Sequence, residues 1–282
     1  MKIGPYSIQA LETGRFSLDG GAMFGIVPRP LWSRRIEPDE RGRIRLATRC
    51  LLIEGDGRLV VVDTGIGEKV DDKFRDIYGM SDTRGVETAV EEAGFSPLDV
   101  TDVILTHLHF DHCGGTTRRE GDRLVPVFPR AVHWLQADHW DWAHAGHPRE
   151  KASFLPENYA PVEALGLLNR ISGDHEILPG IRVQRIDGHT EAQQLVHIEA
   201  GSEHAVYVAD LLPTSAHLAS AWGLAYDIRP LVTIEEKQAL VRAAIDGRWR
   251  VLFEHDATTE SARIAETDRG PVVVEAARLA EL

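Results

Sequence analysis

A chain of 282 residues with 43% hydrophobic side chains can fill the core of one large domain, and that composition argues against disorder. Its formal net charge of −13, from 31 basic and 44 acidic residues, argues against nucleic acid and anionic membranes as partners. Two cysteines, Cys50 and Cys113, make no disulfide framework and read as small buried thiols. No membrane span or secretory leader is visible, so the expected location is the cytoplasm.

In chain order, residues 19–25 (Asp-Gly-Gly-Ala-Met-Phe-Gly) place glycines around Met23 and Phe24. They predict a loop that holds both apolar side chains exposed near something it contacts closely. Residues 51–54 and 59–63 flank Gly55-Asp56-Gly57, a β-hairpin signal. A helix over 83–94 should stop at Gly94, and strands follow at 102–106 and 131–135. The stretch 140–169 differs in character, with Trp140, Trp142, Phe154, Tyr159 and three prolines among charges. It predicts an insertion with a helix or two, capping a pocket, within a single domain spanning 1–282. Further strands are expected at 181–186, 195–198, 205–209 and 250–253. Thr233-Ile234-Glu235-Glu236 has the pattern of a capping box, and Leu240, Val241, Ala244 and Ile245 mark the face of the helix behind it. A C-terminal segment, 271–282, closes the chain.

The densest chemistry lies in Thr106-His107-Leu108-His109-Phe110-Asp111-His112, directly behind the apolar run Val103-Ile104-Leu105. In extended chain, side chains two apart point the same way, so His107 and His109 can converge on one ion. Asp111 and His112 need a turn to join them, and Gly114-Gly115 offers freedom for it. Burying four such groups together needs a common partner. His189, Asp210, His255 and Asp63 each follow a predicted strand. In α/β sheets the carboxyl ends of strands face one crevice where ligands gather. Each of these four, taken alone, would be an ordinary core or turn residue; five strands ending in His or Asp point to a metal site. The remaining histidines, His133, His139, His144, His147, His175, His197 and His204, show no partner pattern.

His-x-His-x-Asp-His at 107–112, then His189, Asp210 and His255, with Asp63-Thr64-Gly65 upstream, resembles the metallo-β-lactamase superfamily over most of the chain. The resemblance implies an α/β fold: a four-layer αβ/βα sandwich of two mixed β-sheets with helices outside. It implies two divalent metal ions per chain, zinc first, with manganese, iron or cobalt permitted by a nitrogen and oxygen ligand set. Carried over residue by residue, His107, His109 and His189 hold the first ion, and Asp111, His112 and His255 the second. Asp210 bridges both, and Asp63 orients ligands from behind. The complement looks like the lactonase, glyoxalase II and phosphotriester-hydrolase branches. Pro213 stands where many quorum-signal lactonases carry a Tyr, which points away from those signals as the main substrate.

Such a pair, about 3.5–4 Å apart, shares a hydroxide that attacks an ester, lactone or phosphoryl centre. Asp111 is the expected catalytic residue, holding the hydroxide and passing a proton to the leaving group. Met23, Phe24 and His217 are the expected substrate-binding residues, His217 because the run 210–217 continues from a ligand. The substrate is expected to be a small, neutral, partly apolar lactone or aryl ester. A phosphotriester or a glyoxalase II-like thioester is the alternative, and a homodimer the assembly carried forward. A nuclease needs a basic groove that −13 opposes. A redox member needs a second domain for which no chain remains. A non-catalytic metal-binding protein should have lost ligands.

Overall fold

Apolar runs bounded by turns build two sheets, and in both the strands lie side by side in chain order. The computed structural model describes residues 1–282. The first sheet runs Lys2–Ile3, Tyr6–Asp19, Arg43–Gly55, Arg58–Val62, Asp102–Ile104, Val132–Gln136 and Leu168–Ile171. Its pairs are antiparallel up to Arg58–Val62 and parallel beyond. The second runs His175–Leu178, Ile181–Ile186, Gln193–Ala200, Glu203–Tyr207, Arg250–Leu252, Ser261–Thr267 and Gly270–Ala277. Only Glu203–Tyr207 against Arg250–Leu252 is parallel there.

Side-chain alternation sorts these strands into layers. Val60 and Val62 face the second sheet and pack with Val183, Val196, Ile198 and Tyr207. Leu59 and Val61 face the other way, toward the helices Val86–Glu92 and Ala137–Ala145. Both faces are buried, so the strand reads as an unbroken apolar run rather than an alternating one. The helix Pro230–Asp246 covers the outer face of the second sheet through Leu240, Val241 and Ala244. The architecture is the expected αβ/βα sandwich. No helix is long and apolar enough to cross a membrane.

Several local expectations need correction. Residues Gly20–Phe24 form a short helix, not a loop, because the Asp19 side chain accepts from Ala22 N (2.7 Å) and caps it. Met23 and Phe24 are buried, at 2% and 0% exposure, instead of presented to solvent. The capping box at Thr233 is not used: the helix begins at Pro230, and the Thr233 hydroxyl donates back to Arg229 O. Glu236 instead accepts from the backbone N–H of Asp187 and Gly188. The strand near 250 is not the last, since Ser261–Thr267 and Gly270–Ala277 form an edge hairpin. Pro271 fits that edge, where a missing N–H costs nothing to a neighbour.

The strand ends Val62, Ile104, Ile186, Tyr207 and Leu252 all lead into loops that meet at one rim of the sandwich. Gly114 and Gly115 matter there for space more than for freedom of turn. A Cβ at Gly115 would sit 2.1 Å from Thr64 O, and one at Gly114 2.1 Å from Ile66 O. Only glycines let the loop carrying Asp111 and His112 press against the loop carrying Asp63.

Candidate metal centre

The loop after Asp102–Ile104 carries His107 and leaves His109 on extended backbone, and the one-turn helix Phe110–Cys113 then brings in Asp111 and His112. His189, Asp210 and His255 arrive from the second sheet. All seven residues are buried, none above 7% exposure. They fall into two groups. In the first, His107 Nε2 lies 3.0 Å from His109 Nδ1, His189 Nε2 lies 3.3 Å from His109 Nδ1, and Asp210 Oδ2 is 3.1 Å from His189 Nε2. In the second, His112 Nε2 and His255 Nε2 are 3.1 Å apart, with Asp111 Oδ2 3.7 Å from His255 Nε2. Asp210 Oδ1 reaches His255 Nε2 at 3.2 Å, so its carboxylate stands between the groups.

What lies behind each ring fixes the tautomer. His109 Nε2–H donates to Glu150 Oε1 (3.0 Å), and His189 Nδ1–H donates to Asp227 Oδ1 (3.0 Å). His255 Nδ1–H donates to Ala47 O (2.8 Å), and His112 Nδ1–H to Asp63 Oδ2 (3.1 Å). Thr106 gives its hydroxyl proton to Asp63 Oδ2 (2.7 Å) and so accepts from His107 Nδ1–H (3.1 Å). Every ring thus commits its outward N–H and turns a lone pair inward. Five lone pairs and two carboxylates then converge with no proton between them. Asp210 Oδ1 is buried without a hydrogen-bond partner. Such a cluster repels itself unless cations sit inside it, so the residues fit divalent metal ions.

The electrostatics agree. Burial alone would raise the Asp210 carboxyl, but His189, His255 and His112 hold it well below the usual range. Burial lowers the His189 pKa, yet Asp210 and Asp227 lift it to about 10. Glu150 stays ionised, held down at about 2 by the His109 bond against the opposing effect of burial.

Three supporting groups have no local sequence signal. Glu150 also accepts from Trp142 Nε1 (2.7 Å), so both partners come from the 140–169 stretch or reach it. Asp227 is brought by the segment between Asp210 and the helix Pro230–Asp246. Glu254 Oε2 lies 2.9 Å from His112 Nδ1 beside Asp63. His139, read as bland, accepts from Leu108 N (2.8 Å) and braces the His-x-His turn. His197, His204 and Glu199 form another cluster, yet it closes on itself: His197 Nδ1 and His204 Nε2 lie 2.9 Å apart, Gln184 meets His197 and Arg182 meets Glu199.

A cavity of about 240 Å³ opens on the centre, with His109, Asp111, His189, Asp210 and His255 in its floor. Leu18, Met23, Phe110 and Leu224 give it apolar walls, and Tyr78, Arg149, Glu150, Ser153 and Tyr226 complete it. Met23 is in its lining; Phe24 and His217 are not. His217 is 1% exposed, shares a 2.8 Å hydrogen bond with Thr214, donates from Nε2 to Met23 O (2.8 Å) and stacks on Phe24. The run 211–217 turns away from the cavity, and the carbonyl of Pro213 accepts from His255 N. A wider groove of about 970 Å³, bordered by Arg35, Arg45 and Arg269, touches none of the seven ligand-type residues.

The model of the metallo-beta-lactamase superfamily matches residues 43–255, which carry all seven of the ligand-type residues. The chain belongs to that superfamily. Its fold matches a probable metal-dependent hydrolase from Staphylococcus aureus, with 31% identity, a TM-score of 0.89, and coverage of 98% of this chain and 100% of that one. AidC, a dizinc quorum-quenching lactonase solved with a product, matches at TM-score 0.79 over 98% of this chain and 96% of its own, with 21% identity, a likeness of fold alone. An N-acyl homoserine lactonase of Bacillus cereus is 25% identical over 167 residues, 55% of this chain and 60% of that protein. The chain thus spans about three-fifths of the length of that curated relative. As a member of the superfamily, it gathers His and Asp side chains that could hold metal ions.

Proposed function

We propose that the chain is a binuclear metallo-hydrolase that opens lactones and cleaves aryl esters. The observation that carries this is the inward convergence of five imidazole lone pairs on the Asp210 carboxylate, at the floor of a cavity with apolar walls. His107, His109 and His189 would hold one divalent ion, Asp111, His112 and His255 the other, and Asp210 both; zinc suits the donors best. Two such ions supply an activated water and a positive field for the carbonyl oxygen as it gains charge. Asp111 makes no hydrogen bond within the protein and faces the cavity, so it is free to hold that water and hand its proton to the departing oxygen. Leu18, Met23, Phe110 and Leu224 favour a neutral, partly apolar substrate. Residues 1–282 are read as one domain, with 140–169 as a cap that lends Arg149, Glu150 and Ser153 to the cavity.

The test is a kinetic panel on the metal-loaded protein: δ-valerolactone, phenyl acetate, a phosphotriester, a thioester and a β-lactam. The expected order puts lactone and aryl ester first in kcat/KM. A phosphotriester or thioester at the head of the panel would replace this substrate assignment, and a β-lactam there would contradict it outright.

A further inference from the structure

The outer face of the second sheet changes character along its strands. Toward the rim that carries the centre, Leu195 and Val206 are apolar and pack under the helix Pro230–Asp246. At the far end, beside the turn at residues 201–202, the same face carries His197, Glu199 and His204. We propose that these three residues hold a further divalent transition-metal ion, zinc first, at a site separate from the centre around Asp210. The inference does not depend on the hydrolytic reading above.

Three observations carry it. First, the spacing suits an ion. His197 and Glu199 lie two apart on one strand, so their side chains share a face. His204 pairs with Glu199 across the hairpin and stands diagonal to His197. His197 Nδ1 is 2.9 Å from His204 Nε2, and Glu199 Oε1 is 3.2 Å from His204 Nε2 and 4.0 Å from His197 Nδ1. Bonds of about 2.0–2.1 Å at tetrahedral angles hold zinc ligands about 3.3–3.4 Å apart, so no separation has to change by more than about 0.7 Å. Second, the inner ring is already turned for ligation. His197 is fully buried, and its Nε2–H donates to Gln184 Oε1 (3.0 Å), which leaves the Nδ1 lone pair facing the other two groups. The rings are then joined by one hydrogen bond, from His204 Nε2–H to His197 Nδ1. An ion takes the place of that single proton, which passes from Nε2 to Nδ1 of His204, and the ring stays neutral. Third, the cluster is walled on one side and open on another. Trp249 packs against both rings, with centroids 3.9 Å from His204 and 5.6 Å from His197. The Glu199 and His204 side chains reach solvent, so an ion can enter and water can fill a fourth position. Two imidazoles and a carboxylate suit zinc. Arg182 donates to Glu199 Oε1 from Nε (2.9 Å) and Nη2 (2.8 Å), so it shares the carboxylate with the ion and repels it. The site therefore binds more weakly than the centre and empties on dialysis.

The test uses full-length protein loaded with zinc and then dialysed, so that the ions of the centre alone remain. Calorimetric titration with zinc should show one further binding event per chain in wild type. His204→Ala should weaken it by at least the roughly tenfold that loss of even an outer partner costs. Glu199→Gln, at a half-exposed position, should weaken it likewise and serves if His204→Ala fails to fold. His144→Ala, which removes an exposed ring elsewhere, should leave it unchanged. The same zinc should raise the Tm of wild type and not that of His204→Ala. No event in wild type beyond the retained ions overturns the proposal. So does an event of undiminished affinity in both variants, or one lost in His144→Ala, since either is adventitious binding by other surface histidines. The event is counted above whatever the centre retains. A centre that keeps fewer than two ions therefore rejects the binuclear reading and leaves this site standing.

Discussion

Removing the carboxylate of Glu150 tests the idea that the 140–169 stretch builds the centre rather than merely covering it. Glu150 is 3% exposed and accepts two hydrogen bonds, from His109 Nε2–H at 3.0 Å and Trp142 Nε1–H at 2.7 Å. Glu150→Ala leaves both donors buried without an acceptor, and each such bond to a charged group is worth about 1.5–3 kcal/mol. The His109 ring also loses what fixes its tautomer, so Nδ1 no longer presents its lone pair alone. Loss of a group behind a metal ligand typically weakens metal binding by about 10–100-fold, or about 1.4–2.7 kcal/mol. Glu150→Gln keeps shape and one acceptor, so it should fall between wild type and Glu150→Ala. The assay is competition for metal against a chromophoric chelator, read beside Tm. The expected result is graded loss at one of the two ions, the one held by His107, His109 and His189. Equal affinity in all three proteins would show that Glu150 does not position His109, and the reasoning from ring tautomers would fail with it.

Asp210→Asn should lose at least one ion and most turnover while the fold survives on its core; full occupancy with native rate contradicts the bridging assignment. His139 is buried and neutral, with a pKa lowered to about 3 by burial. The unfolded chain takes up that proton near pH 6.5 and the folded chain does not. Its contribution to stability is therefore steady above pH 6.5 and falls with pH below it, by about 2 kcal/mol at pH 5 given about 1.4 kcal/mol per pH unit. Urea midpoints of wild type and His139→Gln at pH 7 and pH 5 check this: the variant should lose less on acidification, and equal losses refute it. Gly115→Ala places a Cβ against Thr64 O, so it should cost about 3 kcal/mol, the upper part of the overpacking range; an unchanged Tm would show that the two loops are free to part.

The centre was legible where its chemistry is contiguous. His107, His109, Asp111 and His112 announce themselves because four such groups together cannot be a packing accident. His189, Asp210 and His255 were legible because each follows an apolar strand, and the fold brings strand ends to one rim. Glu150 and Asp227 were not, since each reaches a histidine of the centre from a loop that returns through space, and one acidic residue in a loop looks like any other. His217 misled for the converse reason. Seven residues beyond a ligand suggests a place in the cavity, but Thr214 and Met23 O take both its ring nitrogens and turn it inward. Gly20-Gly21 suggested a loop where Asp19 caps a short helix. The edge hairpin Ser261–Thr267 and Gly270–Ala277 was not legible: its outer strand holds only the short apolar run Val272-Val273-Val274, has no sheet beyond it and stays partly exposed.

The central claim is that one chain holds two divalent ions around Asp210. Metal-stripped protein should be titrated with zinc under calorimetry, and the dialysed product measured by elemental analysis. Two ions per chain in wild type, falling to one or none in Asp210→Asn, is the predicted result. At most one ion per chain in wild type, with no second binding event at any zinc concentration, would contradict it.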